Sequence, residues 1–389
     1  MHFVVRSAKD FVKHNLRDRR APTGATADDS HLDAAVGWLL RSIDECGGEA
    51  SSKGYRFLRG WMPPYPETSG YIIPTLLALA HDNKGSPDCV KRAERIAQWL
   101  TRIQLPDGGF RRREVDRNDE PDVFDTGMIL LGFNALLHEK SVPEIKASAQ
   151  KAADFLASSL DDSGCFVRHL SHGIWHAYNV RAAWGLVGYG LLTNQDRYVQ
   201  AGLANATWTL RQQNEVGYYA NNAFKKDGNA NTHGVAYVMQ GLLQIYDLSD
   251  DQACRDSVVL AADSLQALYR ERGWLAAELG PNWEYLSRHI CLTGYAQLAI
   301  VFLRLFELTD DNNYRVTAER LLGDVGATQE LDGREAAHHG AIAGSFPIYG
   351  RYAPLQYPNW ATKFFIDAML AKNRIDSGEQ TPAFLKYGN

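Results

Sequence analysis

Two kinds of apolar pattern alternate along the chain. In the first, apolar residues recur at helical spacing on one side of a polar segment. Ala93, Ile96, Ala97 and Leu100 share one face, and Lys91, Arg92, Glu94 and Arg95 point away from it, as in an amphipathic helix with one side in solvent. Segments of this kind occupy about residues 32–46, 89–104, 143–160, 197–213, 252–269 and 313–328. In the second kind nearly every position is apolar, over about residues 67–82, 125–138, 176–193, 232–248, 292–308 and 359–372. A helix apolar on all sides belongs inside a larger assembly. Strict alternation of the two kinds, with no convincing strand run between them, predicts an all-α repeat fold.

The punctuation between helices has the same period. Gly followed closely by an aromatic occurs at Gly54-Tyr55, Gly109-Phe110, Gly164-Cys165-Phe166, Gly217-Tyr218 and Gly273-Trp274, with glycine spacings of 55, 55, 53 and 56 residues, and Gly333 continues the series without its aromatic. Such a period marks a helical-hairpin repeat. Six hairpins of this length suit closure into an (α/α)6 toroid, a double ring of six outer and six inner helices, which also hides both ends of the array. The expected organisation is one toroid domain over residues 1–389, with an N-terminal extension at 1–30 and a C-terminal tail at 375–389. The glycines after the outer helices suit left-handed terminating positions. Gly70, Gly127, Gly234 and Gly294, inside the inner helices, cost about 1 kcal/mol each relative to alanine, so close helix approach must offset them.

In such a ring the inner helices all run the same way, so their first turns share a face carrying free N–H groups and positive dipole ends, a setting for anions. The six mouths on that face are polar. The first supplies Trp61, Tyr65, Glu67 and Thr68, and the second Phe124, Asp125 and Thr126. The third supplies Trp175, His176, Tyr178 and Arg181, and the fourth Asn231, Thr232 and His233. The fifth supplies Arg288, His289, Cys291, Thr293 and Tyr295, and the sixth Tyr357, Asn359 and Trp360. Plain structural roles are open for each: Glu67 and Asp125 as helix caps, His176 and His233 as packed core histidines, the aromatics as rim packing. Arg181, in a buried helix, requires a partner, either Glu67, Asp125 or an acidic ligand.

Composition narrows the classes. The net charge is -5, and the Arg111-Arg112-Arg113 triplet is followed by Glu114, Asp116, Asp119 and Glu120, so nucleic acid is not the expected partner. The five cysteines, at 46, 89, 165, 254 and 291, form no CxxC pair. They fit reduced thiols in a cytoplasmic protein without a structural zinc site. The first twenty residues lack an uninterrupted apolar stretch, so no signal peptide is expected, and no apolar run is read as membrane-spanning. No cofactor and no metal are expected.

Three resemblances follow from motifs. Gln104-Leu105-Pro106-Asp107-Gly108-Gly109-Phe110 is similar to the Q-x-x-x-G-x-F/W repeat of the squalene–hopene cyclase and prenyltransferase toroids, with a partial match at Gln213–Tyr219 and a truncated one at Gln329–Gly333. The acidic D-x-D-D motif of those cyclases and the zinc ligands of the prenyltransferases have no counterpart, so this resemblance implies fold rather than chemistry. The stretches 60–77, 176–184, 291–297 and 357–365 resemble bacterial toroid proteins associated with exopolysaccharide biosynthesis, and Trp283-Glu284-Tyr285 is distantly similar to the helical domain of glucuronyl C5-epimerases.

These readings point to an enzyme acting on an acidic, uronic-acid-containing saccharide. In proton abstraction α to a carboxylate, as by an epimerase or lyase, Arg181 pairs with the carboxylate, His176 or His233 takes the proton and Tyr178 returns it, with Asn231 or His289 helping to neutralise charge. Trp61, Tyr65, Trp175, Tyr357 and Trp360 serve as sugar platforms, and Arg288, Tyr295 and Asn359 line the site. Glu67 and Asp125 form the alternative, a glycoside hydrolase pair about 5–9 Å apart. A sugar 2-epimerase built on His176 and His233, a terpenoid-cyclase-like toroid and a non-catalytic glycan-binding module are the further alternatives.

Overall fold

The computed structural model describes residues 26–115, 120–333 and 337–388. Twelve α-helices in these residues alternate between an outer and an inner ring. The outer helices are α1 (Asp29–Asp44), α3 (Cys89–Ile103), α5 (Pro143–Ser158), α7 (Asp196–Leu210), α9 (Gln252–Arg272) and α11 (Asn312–Gly326). The inner helices are α2 (Pro66–His81), α4 (Val123–Glu139), α6 (Val180–Thr193), α8 (Thr232–Ser249), α10 (Leu292–Thr309) and α12 (Asn359–Ser377). The two patterns sort as physics requires. In α3 only Cys89, Ala93, Ile96, Ala97 and Leu100 are buried, one stripe along the helix. In α4 every residue from Val123 to Leu136 is buried.

Each inner helix packs on the next, and α12 packs back onto α2 and α1, closing the ring. Polar stitches complete the seam. The Asn359 amide donates to Ser51 Oγ, the Ser52 carbonyl and Thr68 Oγ1 at 2.8–2.9 Å. Residues 356–358 pair antiparallel with 54–56, setting Tyr357 opposite Tyr55.

The repeated glutamine has a plain mechanical role. Gln104 donates its amide to the Gly108 carbonyl and to the Ser148 carbonyl of α5, both at 2.9 Å, and Gln213 bonds Gly217 and Ser257 of α9 in the same way. Gln329 repeats the pattern across the seam, to Gly340 at 2.7 Å and to His31 of α1 at 3.0 Å. The last repeat therefore uses Gly340 where the period suggests Gly333. A Cβ on Gly340 would lie 2.0 Å from the Ala34 carbonyl, whereas one on Gly333 would meet nothing within 4 Å. The left-handed terminating position expected of these glycines is found only at Gly273, the C-cap of α9. Elsewhere the helix ends earlier, and the turn glycine is required by close approach, to the 357–358 strand at Gly54 and to the following outer helix at Gly108, Gly164, Gly217 and Gly340. Close approach also explains the inner Gly127, whose added Cβ would lie 2.3 Å from Ala182 Cβ on α6.

The mouth loops carry short antiparallel ladders that link neighbouring repeats, such as 230–231 with 278–279 and 290–291 with 345–346. At the opposite end, Ala383–Lys386 forms a 3-10 turn against α2, α4 and α8, and the Lys386 carbonyl accepts the Trp184 indole N–H at 2.8 Å. The residues expected as a tail thus pack across the C-terminal ends of the inner helices. Of the expected N-terminal extension, residues 1–25 lie outside the described residues, while Asp28 caps α1. Contrary to the expectation that no apolar run reaches membrane length, α10 is long and apolar enough to cross a membrane; here it is mostly buried, with α8 and α12 on either side in the inner ring.

Candidate active site

A cavity of about 300 Å³ opens at the N-terminal ends of the inner helices. Its walls carry two carboxyls, Glu67 and Asp125, three cations, Lys53, Arg112 and Arg113, and a dense aromatic surround that includes Tyr65, Phe124, Tyr178, Phe224, Tyr237, Tyr352 and Trp360. Ser171, His172, His233 and Tyr71 complete the lining.

Neither acid is a helix cap. On α4 that role falls to Asp122, whose Oδ1 accepts the N–H groups of Phe124 (2.8 Å) and Asp125 (3.3 Å), while its Oδ2 accepts the Ser171 hydroxyl at 2.8 Å. Helix α2 has no side-chain cap; Tyr65 precedes it and Pro66 opens it, where a missing N–H costs nothing. Glu67 and Asp125 are therefore left to face the cavity from first turns of adjacent helices. Burial lifts the Glu67 pKa to about 7, against the lowering effects of the Tyr65 hydroxyl hydrogen bond, Lys53 and Arg181. Asp125 is raised well above the usual carboxylate range, first by burial and then by repulsion from Glu67 and Asp122, with only the Arg113 backbone N–H (3.3 Å) and Lys53 opposing. Asp125 has the weaker support and keeps its proton more firmly. Lys53 stands 4.4 Å over the Tyr65 ring and pairs with Glu114 at 3.0 Å.

Beneath the cavity runs a polar chain whose direction is fixed by its cation. Arg181, a donor only, gives Nη1–H to Gln240 Oε1 at 2.6 Å. The same oxygen accepts Gln297 Nε2–H at 2.9 Å, so Gln297 turns its own Oε1 to His233 Nδ1. That oxygen can only accept, so the His233 proton sits on Nδ1 and Nε2 carries the lone pair. Burial lowers the His233 pKa to about 3, which keeps the ring neutral between Tyr237 (4.2 Å) and Tyr352 (5.3 Å). Below it, Lys363 and Asp367 form a buried ion pair at 2.6 Å.

Of the sixteen residues singled out in the sequence, Glu67, Asp125, Tyr65, Tyr178, His233 and Trp360 line this cavity. The others lie elsewhere. Arg181 is fully buried beneath the floor, bonded to Gln240 and set against the faces of Tyr237 (4.9 Å), Trp184 (5.2 Å) and Phe364 (5.7 Å). Of the partners expected from the sequence, Glu67 lies in longer electrostatic reach, after the nearer carboxylate of Asp367. His176 precedes α6, which starts at Val180 rather than at 176, and stacks behind Tyr178 at 4.4 Å, with Nε2 on the Ser171 carbonyl. Asn231 caps α8, and Asn359 stitches the seam. Tyr295 has its hydroxyl on the Leu275 backbone. Tyr357 stacks on His338 at 5.4 Å, and Trp61 packs on Trp38 at 5.3 Å. Arg288 is exposed on the 286–289 loop, and His289 is buried near Gly350. Trp175 is 55% exposed and lines a neighbouring pocket.

Several cavity residues were not singled out as candidates. Tyr71 and Tyr237 lie four residues after Glu67 and His233, so the same-face rule points to both. Lys53, Arg112, Arg113, Ser171, His172, Phe224 and Tyr352 come from loops, where no periodicity marks them. Among the described residues, no group of three or more His, Cys, Asp or Glu side chains is placed to hold a metal ion.

No family model matches the chain, and no curated protein matches it in sequence. Solved structures do match in shape. An unsaturated glucuronyl hydrolase specific for heparin superposes with a TM-score of 0.69 at 15% identity, covering 90% of this chain and 97% of that one. A D-mannose isomerase gives 0.68 at 12% identity, covering 89% and 97%. A polysaccharide lyase gives 0.64 at 12% identity, covering 92% and 100%. These likenesses establish the (α/α)6 toroid over nearly the whole chain, on a scaffold whose members carry different reactions.

Proposed function

We propose that the protein is an enzyme acting on an acidic poly- or oligosaccharide, with Glu67 and Asp125 as its acid–base pair. The observation that carries this reading is the position of the two carboxyls: both buried in the cavity wall, both released from capping, Glu67 raised to about 7 and Asp125 raised well above the usual carboxylate range. A raised, protonated Asp125 suits a general acid that gives its proton to the glycosidic oxygen as the bond breaks. Glu67, held nearer neutrality by Lys53 and Tyr65, suits the base or nucleophile opposite it. Arg113, with Lys53 and Arg112 already paired to Glu114 and Glu120, brings positive charge to the lining, where a uronate carboxylate gains from it. Tyr65, Tyr178 and Trp360 offer faces to a sugar ring. The resemblance to toroid proteins of exopolysaccharide biosynthesis and the five free cysteines support a bacterial glycan substrate handled in the cytoplasm. A polyprenyl substrate fits a cavity with two acids and three cations poorly.

A second reading rests on His233. A neutral imidazole with its proton fixed on Nδ1 has Nε2 ready to accept the proton α to a carboxylate, and Tyr237 beside it supplies a hydroxyl. That is the machinery of an epimerase or lyase. The test is incubation with a panel of uronic-acid-containing oligosaccharides in deuterated buffer. New reducing ends without absorbance near 230 nm or carbon-bound deuterium support the carboxyl pair. Absorbance near 230 nm, or deuterium uptake at carbon, supports His233. No change in any saccharide across the panel contradicts both.

A further inference from the structure

A second pocket, of about 500 Å³, adjoins the central cavity and shares two walls with it. On one loop, Ser171 and His172 line the cavity while Gly173, Ile174 and Trp175 line the pocket; on the other, Phe224 lines the cavity while Ala223 and Lys225 line the pocket. The two loops are tied by the Ala177 N–H bonding the Asn221 carbonyl at 2.7 Å, and the second is closed by the Ala223–Ala230 bridge. Three features of this pocket are left without cover or partner among the described residues. Trp175 leaves 55% of its surface in solvent, a large apolar face without cover. Asn222 is 3% exposed, yet neither its amide nitrogen nor its amide oxygen has a hydrogen-bond partner among the described residues. Lys225 and Lys226 are exposed and form no ion pair among the described residues, and Asp227 is the one acid in the pocket's lining. A buried amide left unbonded is costly, and a ligand bonding it would recover that cost.

We infer that this pocket is a subsite for the next unit of the same saccharide chain, resting on the reading that the central cavity takes an acidic sugar. The bound ring stacks on the Trp175 indole, its hydroxyls bond the Asn222 amide, and a carboxylate on that unit faces Lys225 and Lys226. The chain passes from one site to the other over Phe224. The substrate is then an oligosaccharide or polymer with recurring acidic units, longer than the cavity alone selects.

The experiment compares a glucuronate-containing disaccharide with the tetrasaccharide of the same repeat. For the unaltered protein the ratio of kcat/KM, tetrasaccharide over disaccharide, is expected to exceed about tenfold, and Trp175→Ala and the Lys225→Ala/Lys226→Ala pair each bring it towards one. Both changes are on exposed side chains, and circular dichroism verifies the fold. A ratio near one in the unaltered protein, or a ratio untouched by Trp175→Ala, overturns the subsite. If neither saccharide is turned over, the acid–base reading fails, and calorimetric titration with the tetrasaccharide decides the subsite alone. Binding lost in both variants supports it; absent binding, or binding unchanged in the variants, overturns it.

Discussion

The Glu67 carboxylate raises the proton affinity of Asp125 across the gap between α2 and α4, and after burial itself it is the largest contribution to that shift. Two like charges in one water-poor site cannot both form cheaply. Burial and this repulsion hold Asp125 towards its protonated form, while Glu67 titrates at about pH 7. The kcat/KM profile is expected to be bell-shaped, with the acid limb near pH 7 and the alkaline limb where Asp125 ionises. Lys53 lowers the pKa of both acids, so Lys53→Met should move both limbs upward. An acid limb at pH 4–5, the ordinary carboxylate range, removes Glu67 as the base.

The same shift makes the site a weakness in the fold. The Glu67 pKa is raised above its unfolded value of 4.5, so its contribution is fully present below pH 4.5 and is lost as pH rises to about 7. Stability is expected to fall over that window. Glu67→Gln, which has no charge to bury, should flatten the fall and gain on the order of 1–3 kcal/mol at pH 7.5. Denaturant titrations at pH 5 and 7.5 check this; a variant that is less stable at both values contradicts it.

Lys363 and Asp367, one helical turn apart on α12, are almost wholly buried at 2.6 Å, and Asp367 also accepts the Thr75 hydroxyl from α2 at 2.8 Å. Removing one partner strands the other charge. Lys363→Met is expected to cost about 3–5 kcal/mol, and Lys363→Met/Asp367→Leu less than the single change, since both charges then go together. Urea unfolding of the two variants measures it.

Ring closure gives a sharper structural test. Gly340→Ala drives a methyl into the Ala34 carbonyl at 2.0 Å, at a φ of +82°. Gly333→Ala adds one to open space at a φ of +74°. The second should lose only about 1 kcal/mol for the left-handed backbone, and the first several times that. Equal losses contradict the assignment of Gly340 as the repeat glycine.

The helices were legible because their patterns are physical consequences of position: one buried stripe for α3, burial all round for α4. The 55-residue period was legible for the same reason, since most of the turns approach the next outer helix closely, as at Gly108, Gly164 and Gly217. The position of Gly340 was not, because the final loop is longer and carries the glycine out of period. At the site, Glu67, Asp125 and His233 were found because first turns of inner helices necessarily face one end of the ring. Arg181 was misplaced because its position gives the helix but not the direction of a long side chain, which here finds Gln240 and three aromatic faces below the floor. Lys53, Arg112 and Tyr352 come from loops, whose course no periodicity records.

The most direct test of the account is the rate of reducing-end release from a glucuronate-containing oligosaccharide by the unaltered protein, Asp125→Asn and Glu67→Gln, alongside His233→Gln. The expected result is loss of about a hundredfold to ten-thousandfold in kcat for both carboxyl variants, as general acid–base groups contribute about 10²–10⁴-fold, with a far smaller loss for His233→Gln. Turnover that survives Asp125→Asn and Glu67→Gln but disappears with His233→Gln would contradict it.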